Sequence, residues 1–251
     1  MNPVDQRALP HPAVTLLLEF GARSPVVDDG TGRWRGSLAV GLGTGTRHVR
    51  GEQIECVQVR LSPLIAGAVL GASLAELTDA VVLLDDLWGR EAALIRERLA
   101  ETPSWTERFA LIEVLLACRC TTGPAAEPEV VWAWRRIRAG HGLVRIDALA
   151  DEVGWSRKRL WSRFQAQLGL PPKRAATLIR FDRAVHRLAA GIDPARVAAD
   201  SGYADQSHLH RDIVAFTGIT PTAVAGESWL ATDDIAWPPR AAVPQALPPT
   251  N

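Results

Sequence analysis

Cysteine is scarce in this sequence, and long apolar runs are absent. The 251 residues include three cysteines, two of them in Cys118-Arg119-Cys120. Three cysteines do not make the disulfide framework of a small secreted protein, so a reducing cytoplasm is the simplest interpretation. No uncharged apolar stretch approaches the ~18 residues of a membrane-spanning helix, and residues 1–12 lack the basic-then-apolar pattern of a signal peptide. The sequence therefore predicts a cytoplasmic protein that has no membrane partner.

The short motifs of common enzyme active sites are also missing. There is no G-x-S-x-G, H-E-x-x-H or P-loop pattern, and the glycine-rich stretch 41–45 lacks the lysine and the following helix of a phosphate-binding loop. The Cys118-x-Cys120 pair is one residue tighter than the usual zinc-binding spacing, so we interpret it as packing. The sequence predicts no catalytic residue, no metal site and no cofactor.

Charge is balanced over the whole chain but divided unequally along it. Residues 130–226 carry 15 Lys or Arg against 8 Asp or Glu, a net charge of +7, whereas the rest carries 13 against 20, a net charge of −7. Lysine occurs only at Lys158 and Lys173, so the basic residues are nearly all arginines, which suit bidentate contacts to phosphate or guanine. This asymmetry predicts a basic module that binds a polyanion and an acidic module with another role.

Two segments in the basic part of the chain, 156–164 and 205–213, share one pattern. Each opens with a residue that can cap a helix, Ser156 or Asp205, and each follows a glycine turn. Each has a polar face rich in hydrogen-bond donors, opposite a pair of apolar residues at i and i+4: Leu160 with Phe164, and Leu209 with Ile213. A short helix, a glycine turn and a capped amphipathic helix are typical of a helix-turn-helix unit.

The two segments belong to a longer internal repeat. Their first residues are 49 apart, as are Gly169 and Gly218, which follow the two segments. The preceding helices align at a spacing of 48, Ala150 with Ala198, because the second turn has one extra residue, Ala204. Duplicated segments of this size predict a single module built from two similar halves.

These residues resemble the AraC/XylS-type transcriptional regulators, whose DNA-binding domain has two helix-turn-helix units joined by a long helix. The resemblance covers about residues 130–226, and the matching residues are Leu149-Ala150, Val153-Gly154-Trp155-Ser156, Leu160, Arg163-Phe164, Gly169, Pro172, Arg180, Ala184, Val197-Ala198, Gly202-Tyr203, Asp205-Gln206-Ser207-His208-Leu209, Arg211, Gly218 and Thr220-Pro221. Ile213 departs from the family, which usually has phenylalanine there, but it keeps the position apolar.

The resemblance assigns roles to the outward residues of the two segments. The positions that it implies face base edges are Lys158, Trp161, Ser162, Ser207, His210 and Arg211. Those that it implies lie on phosphates or groove edges are Arg157, Arg163, Gln206 and His208. Trp161 has two interpretations, contact with a thymine methyl group or partly buried packing. His208 and His210 lie close together in the second segment, but two histidines without further ligands are only a weak indication of a zinc site.

The pattern of apolar, polar, glycine and proline residues along the chain predicts an α+β domain followed by an all-α domain. Residues 1–120 are expected to form a sensor or dimerisation domain, with strands in 13–61, as a small antiparallel sheet or partial barrel, and helices in 63–120. A linker at 121–129 leads to the double helix-turn-helix domain at 130–226, and the Pro/Ala-rich tail at 227–251 is expected to be disordered. Two Ser-x-x-Glu sequences, at Ser73 and Ser104, predict helix starts.

We therefore expect a bacterial one-component transcription regulator that binds double-stranded promoter DNA. The candidate partners are a small-molecule effector, RNA polymerase, and a second subunit that binds through 91–118. An effector pocket could be lined by His48, Arg50, Glu52 and Glu55, although exposed strand polarity explains these residues equally well.

Two other classes of protein remain open from the sequence. One is a repair enzyme with a fused AraC-like module, in which Cys56 or Cys118 would be the nucleophile. The other is an interaction sensor whose helix-turn-helix units no longer bind DNA. The basic residues Arg157, Lys158, Arg163 and Arg211 argue against the second alternative.

Overall fold

The structure, a computed structural model, describes residues 4–227 and divides the chain into two compact units. Unit 1 comprises Met1–Ala8, Ala13–Gly43 and Arg47–Ala125. Unit 2 begins at Ala126 and also includes Leu9–Pro12 and Thr44–Thr46. The predicted tail at 227–251 lies outside the described residues apart from Glu227.

Unit 1 contains two four-stranded antiparallel sheets, ordered β1-β6-β3-β4 and β7-β2-β5-β8. The strands are β1 (Val4–Ala8), β2 (Val14–Glu19), β3 (Val26–Asp28), β4 (Arg33–Arg35), β5 (Leu38–Val40), β6 (Arg47–Gly51), β7 (Cys56–Leu61) and β8 (Val81–Leu83). Buried Val27 of the first sheet packs with Leu38 and Val81 of the second. The two sheets therefore share one apolar core. Together with the helices of unit 1, they confirm the predicted α+β class.

The strands β2 to β7 fall within residues 13–61, where the sequence predicts strands. β1 and β8 lie outside that range. The five residues of β1 pair with β6, from Val4 with Gly51 to Ala8 with Arg47. β1 is polar because it is an edge strand, so alternation of apolar residues does not mark it.

Four helices complete unit 1 within the described residues: α1 (Pro63–Leu70), α2 (Leu84–Trp88), α3 (Arg90–Glu101) and α4 (Trp105–Thr122). The Ser104 box is confirmed, because the Glu107 amide donates to Ser104 Oγ at 3.2 Å and that hydroxyl donates to the Glu107 carboxylate at 2.8 Å. The Ser73 box starts no helix, and the Glu76 amide donates instead to the Ser73 carbonyl oxygen in a turn. Asp79, with a φ of 59°, ends this turn in the left-handed region.

Helix α4 is long but buries little of its surface. Of its 18 residues, only Ile112 is fully buried. The Val114 side chain is 71% exposed, and Leu94 of the neighbouring α3 is 57% exposed. Together with Ala110 and Leu111, these residues line an open cavity of about 570 Å³ between α3 and α4. We call this surface the α3–α4 face.

Unit 2 is all helical from Ala126 to the end of the described residues. Its helices are α5 (Pro128–Ala139), α6 (Ile146–Glu152), α7 (Arg157–Leu168), α8 (Pro172–Ala189), α9 (Pro194–Asp200), α10 (Gln206–Thr217) and α11 (Pro221–Ala225). The long α8 buries ten residues and lies at the centre. The ring of its Phe181 stacks on Phe216 of α10 with centroids 4.4 Å apart. On the other side of the unit, Trp134 of α5 packs near Phe164 of α7 at 6.4 Å.

Candidate nucleic-acid interface

The same turn connects α6 to α7 and α9 to α10. Gly154 and Gly202 occupy the left-handed region, with φ of 67° and 70°. The residue after each glycine donates back to the helix that has ended, from the Trp155 amide to the Ala150 carbonyl oxygen at 2.9 Å and from the Tyr203 amide to that of Ala198 at 3.0 Å. This is the Schellman arrangement, which ends the first helix sharply and buries the following aromatic residue. The sequence repeat is therefore a repeat of backbone geometry.

Both exposed helices start with the caps that the sequence predicts. Ser156 Oγ accepts from the Arg159 amide at 3.2 Å, and Asp205 Oδ1 accepts from the His208 amide at 2.7 Å. A side-chain acceptor at this position satisfies one of the unpaired amides of the first turn. Each cap fixes where its helix begins and therefore which side chains lie on the outward face.

In α7 the predicted base-facing residues lie on the exposed side of the helix. Leu160, Phe164 and Leu168 are fully buried against the rest of unit 2. Lys158 and Ser162 are exposed, and Trp161 is 52% exposed. About half of the Trp161 surface is therefore accessible, which is compatible with both interpretations of this residue.

Helix α10 presents an equivalent face. Its buried residues are Leu209, Ile213, Phe216 and Thr217, so Ile213 holds the apolar position predicted for it. Ser207, His210 and Arg211 are exposed on the opposite side. Arg211 Nε donates weakly to the Ser207 carbonyl oxygen at 3.4 Å, which leaves most of the guanidinium donors available.

Two of the residues predicted to contact phosphate already have carboxylate partners. Arg157 Nη1 lies 3.0 Å from Asp147 Oδ1 of α6. Arg163 forms a bidentate pair with Glu127, just before α5, with 3.0 Å between its Nε and Glu127 Oε2. Arg163 is the main cause of the lowered pKa of Glu127. Glu127 lies 36 residues before Arg163 in the chain, so the sequence pattern did not indicate this partner. Asp147 lies within the first helix-turn-helix unit, ten residues before Arg157, but no sequence pattern paired the two.

The structure adds Arg159 to the exposed cations of α7. Its guanidinium carbon lies 4.4 Å from the ring centroid of Trp155, the buried aromatic of the turn. The equivalent residues in the second half are His208 and Tyr203, whose rings meet edge-on at 5.2 Å. In both halves, therefore, the aromatic residue of the turn supports the third residue of the exposed helix. A repeat of this pairing at a spacing of 48 to 49 residues could have been found in the sequence.

The second half is tied to α8 around Tyr203. The Arg180 guanidinium lies 4.6 Å from the centroid of the Tyr203 ring and donates to Asp212 Oδ2 at 3.3 Å. Burial, with a contribution from the charge of Asp212, raises the pKa of Tyr203 to about 12. Arg180 thus joins α8 to α10. Of the remaining predicted contacts, Gln206 is exposed and His208 is half-buried.

The two exposed helices differ strongly in charge. Helix α7 holds no acidic residue and four basic ones, Arg157, Lys158, Arg159 and Arg163. Helix α10 holds one of each, Arg211 and Asp212, together with two histidines. Electrostatic attraction to a polyanion is therefore concentrated on the first half.

Residues that suggested other chemistry in unit 1 have ordinary environments. Burial, followed by the charge of Glu19, raises the pKa of Cys56 to about 11, so its thiol is a poor nucleophile at neutral pH. Arg50 and Glu52 form exposed pairs with Asp5 and Arg23, as expected for polar strand edges. Within residues 4–227 there is no group of three or more His, Cys, Asp or Glu that could hold a metal ion. The helices of the same part of the chain include none long and apolar enough to cross a membrane.

Two helix-turn-helix units that share one long helix define a tandem helix-turn-helix domain. Residues 149–226 match the family model described as a helix-turn-helix domain. Over 66 residues the chain is 33% identical to an uncharacterised HTH-type transcriptional regulator, YbfI, of Bacillus subtilis (strain 168). This match covers 26% of the chain and 24% of the relative, so the similarity spans about a quarter of that protein.

Solved structures extend the comparison to both units. ToxT from Vibrio cholerae O395, an AraC-family regulator, has a TM-score of 0.53 and 9% identity, over 92% of this chain and 98% of that one. The unsaturated-fatty-acid-bound ToxT of V. cholerae strain SCE256 has a TM-score of 0.50 and 11% identity, over 89% and 93%. At such identities the likeness establishes the fold. The comparisons confirm the resemblance of residues 149–226 to the AraC-type helix-turn-helix domain and the predicted fold class.

Proposed function

We propose that this protein is a sequence-specific DNA-binding transcriptional regulator. The observation that carries the proposal is the duplicated helix-turn-helix unit, whose two capped helices each present an exposed, donor-rich face. The net charge of +7 on residues 130–226 supports a polyanionic partner. Because the proposed partner is genomic DNA, we place the protein's action in the cytoplasm.

The geometry favours reading of two successive major-groove segments. A major groove admits one helix, and its N-terminal turns face the base edges. We propose that Lys158, Trp161 and Ser162 read the first segment. In the second segment the readers are Ser207, His210 and Arg211. Arg157, Arg163, Gln206 and His208 are proposed to lie on phosphates or groove edges, and Arg159 joins them because its side chain is exposed and supported by Trp155.

The decisive experiment measures binding of the protein to a duplex from its own promoter region, over a series of salt concentrations. We expect specific binding that weakens steeply with salt, and a loss of about tenfold or more in specific affinity for Lys158→Ala/Arg211→Ala, since each guanine contact contributes ~1–3 kcal/mol. Arg135→Ala is the matched control, because Arg135 is an exposed arginine on α5, outside both reading helices. Equal losses in the two variants would contradict the assignment of the reading faces.

Unit 1 is proposed to respond to an effector. The support is the two-unit fold shared with ToxT, one structure of which holds an unsaturated fatty acid and another (E)-4-(8-methylnaphthalen-1-yl)but-3-enoic acid. We therefore propose an apolar carboxylic acid as the class of effector for this chain. Calorimetric titration with oleate, compared with the uncharged oleyl alcohol, tests it, and absence of heat with both ligands rejects it.

The α3–α4 face is proposed to bind a second subunit, as expected for residues 91–118. An 18-residue helix with one fully buried residue leaves an apolar surface in water, and such surfaces mark interaction sites. The residues exposed along α4 include the apolar Trp105, Phe109 and Val114, which a second subunit could cover. Contact with RNA polymerase is carried only by the family resemblance.

The repair-enzyme alternative is less well supported than the regulator. The pKa of Cys56, raised to about 11, leaves little thiolate at neutral pH. Cys118 is exposed on α4, within the residues proposed to bind a second subunit. Methyl-transfer activity that the wild-type protein shows and Cys118→Ser lacks would favour the repair enzyme instead.

A further inference from the structure

Glu127 is held by two side chains of α7, one turn of helix apart. Its carboxylate forms a bidentate pair with the Arg163 guanidinium, through Nε at 3.0 Å and through Nη2. Its backbone amide donates to Gln167 Oε1 at 2.8 Å. Glu127 therefore contacts the proposed reading helix with both its main chain and its side chain.

The position of Glu127 in the chain makes this contact notable. Glu127 is the N-cap residue of α5, where a side chain would ordinarily accept a hydrogen bond from an amide of the first turn. The Glu127 side chain accepts no such bond, and its carboxylate lies on Arg163 instead. The charge of Arg159 also acts on this carboxylate, so Glu127 faces the basic edge of α7.

A carboxylate on the Nε and Nη2 edge of an arginine occupies the donors that a DNA phosphate would take. Arginine binds carboxylate and phosphate with the same planar, bidentate geometry. We propose that Glu127 is an intramolecular competitor for DNA phosphate at Arg163, which lowers the affinity of the first reading helix. This inference rests on the proposed function.

The competition is modest because the pair lies in water. The side chains of Arg163 and Glu127 are 50% and 32% exposed, and exposed pairs are easily exchanged for other partners.

The test compares Glu127→Gln with Glu129→Gln in the full-length protein, using the promoter duplex described above. Glu129 is the matched control, since it lies in the first turn of α5 and its replacement changes the net charge equally. We expect Glu127→Gln to bind about threefold to fivefold more tightly than Glu129→Gln. Its log–log salt slope should be steeper by about 0.9, the value for one added phosphate contact.

A second background separates competition from a structural role. In Arg163→Gln protein, Glu127→Gln should give no gain beyond that of Glu129→Gln. Equal gains in the wild-type background, or weaker binding by Glu127→Gln with unchanged thermal unfolding, would overturn the inference. Failure of the wild-type protein to bind the duplex specifically counts against the proposed function itself.

Discussion

At the scale of single residues, the ionisation of Tyr203 can be measured without overlap from another tyrosine. It is the only tyrosine in the chain, and it lies buried between Arg180 of α8 and His208 of α10. Loss of its proton would place a phenolate in a buried site that also feels the charge of Asp212. Its ionisation therefore reports on the packing of the second helix-turn-helix unit.

We predict that phenolate absorbance of the native protein, followed near 295 nm, titrates with a pKa of about 12 rather than the 10.0 of an ordinary tyrosine. The folded state keeps the phenolic proton to higher pH than the unfolded state does. The contribution of Tyr203 to stability is therefore complete below pH 10 and is lost as the pH rises towards 12. Tyr203→Phe supplies the baseline, and a native midpoint near 10 would show that the ring is not buried.

The individual contacts of the interface divide into predictable and unpredictable ones. The caps at Ser156 and Asp205 were visible in the sequence because a cap and its amide lie three residues apart. The partner of Arg163 was not visible, since Glu127 lies 36 residues away and meets it only after α5 packs on α7. Sequence patterns thus indicate which side chains face outward, but not which of them are already paired.

At the scale of elements, the two glycine turns of the helix-turn-helix units can be compared by substitution. A Cβ at Gly154 meets no atom within 4 Å, whereas a Cβ at Gly202 would lie 2.3 Å from Leu143 Cδ2. Both glycines have positive φ, so any other residue is strained there. The two sites therefore separate backbone strain from crowding.

We predict that Gly154→Ala lowers the free energy of unfolding by about 1 kcal/mol, measured by urea denaturation, because alanine tolerates the left-handed region poorly. Gly154→Asn should cost less, since asparagine adopts this conformation more readily. Gly202→Ala should cost only slightly more than Gly154→Ala, because its Cβ would meet the far end of the exposed Leu143 side chain, which can move, and a Leu143→Ala background should remove the difference. A neutral Gly154→Ala would argue against the Schellman turn.

The helices of unit 2 could be predicted from the sequence, whereas several strands of unit 1 could not. Caps, glycines and apolar spacing are local signals, and they specified α6, α7, α9 and α10. Strands β3, β4 and β8 have three residues each, too few to show alternation. β3 and β4 form a short hairpin with each other, whereas β3 also pairs with β6 and β8 pairs with β5, strands that lie far away in the sequence. The Ser73 box failed for the complementary reason, because a local cap without a following amphipathic run does not make a helix.

At the scale of the whole molecule, the number of subunits tests the proposed role of the α3–α4 face. We predict that the wild-type protein sediments as a dimer and that Val114→Asp sediments as a monomer, because a carboxylate at the centre of an apolar interface would be desolvated. Leu143→Asp is the control, since Leu143 is also an exposed apolar residue, at 49% against 71% for Val114, but lies in unit 2. A monomeric wild-type protein would leave the face to another partner and contradict the dimer proposal.

The shared helix α8 also has a consequence for the DNA. Its 18 residues form one continuous helix that contributes buried side chains between both helix-turn-helix units, so the separation of α7 and α10 is built into the fold. One added base pair between the two half-sites would rotate one of them by about 34–36° around the duplex axis. A protein with a fixed separation cannot follow that rotation without bending the DNA. Genuine operators should therefore share a single spacer length, and a genome search that allows variable gaps would collect mostly false sites.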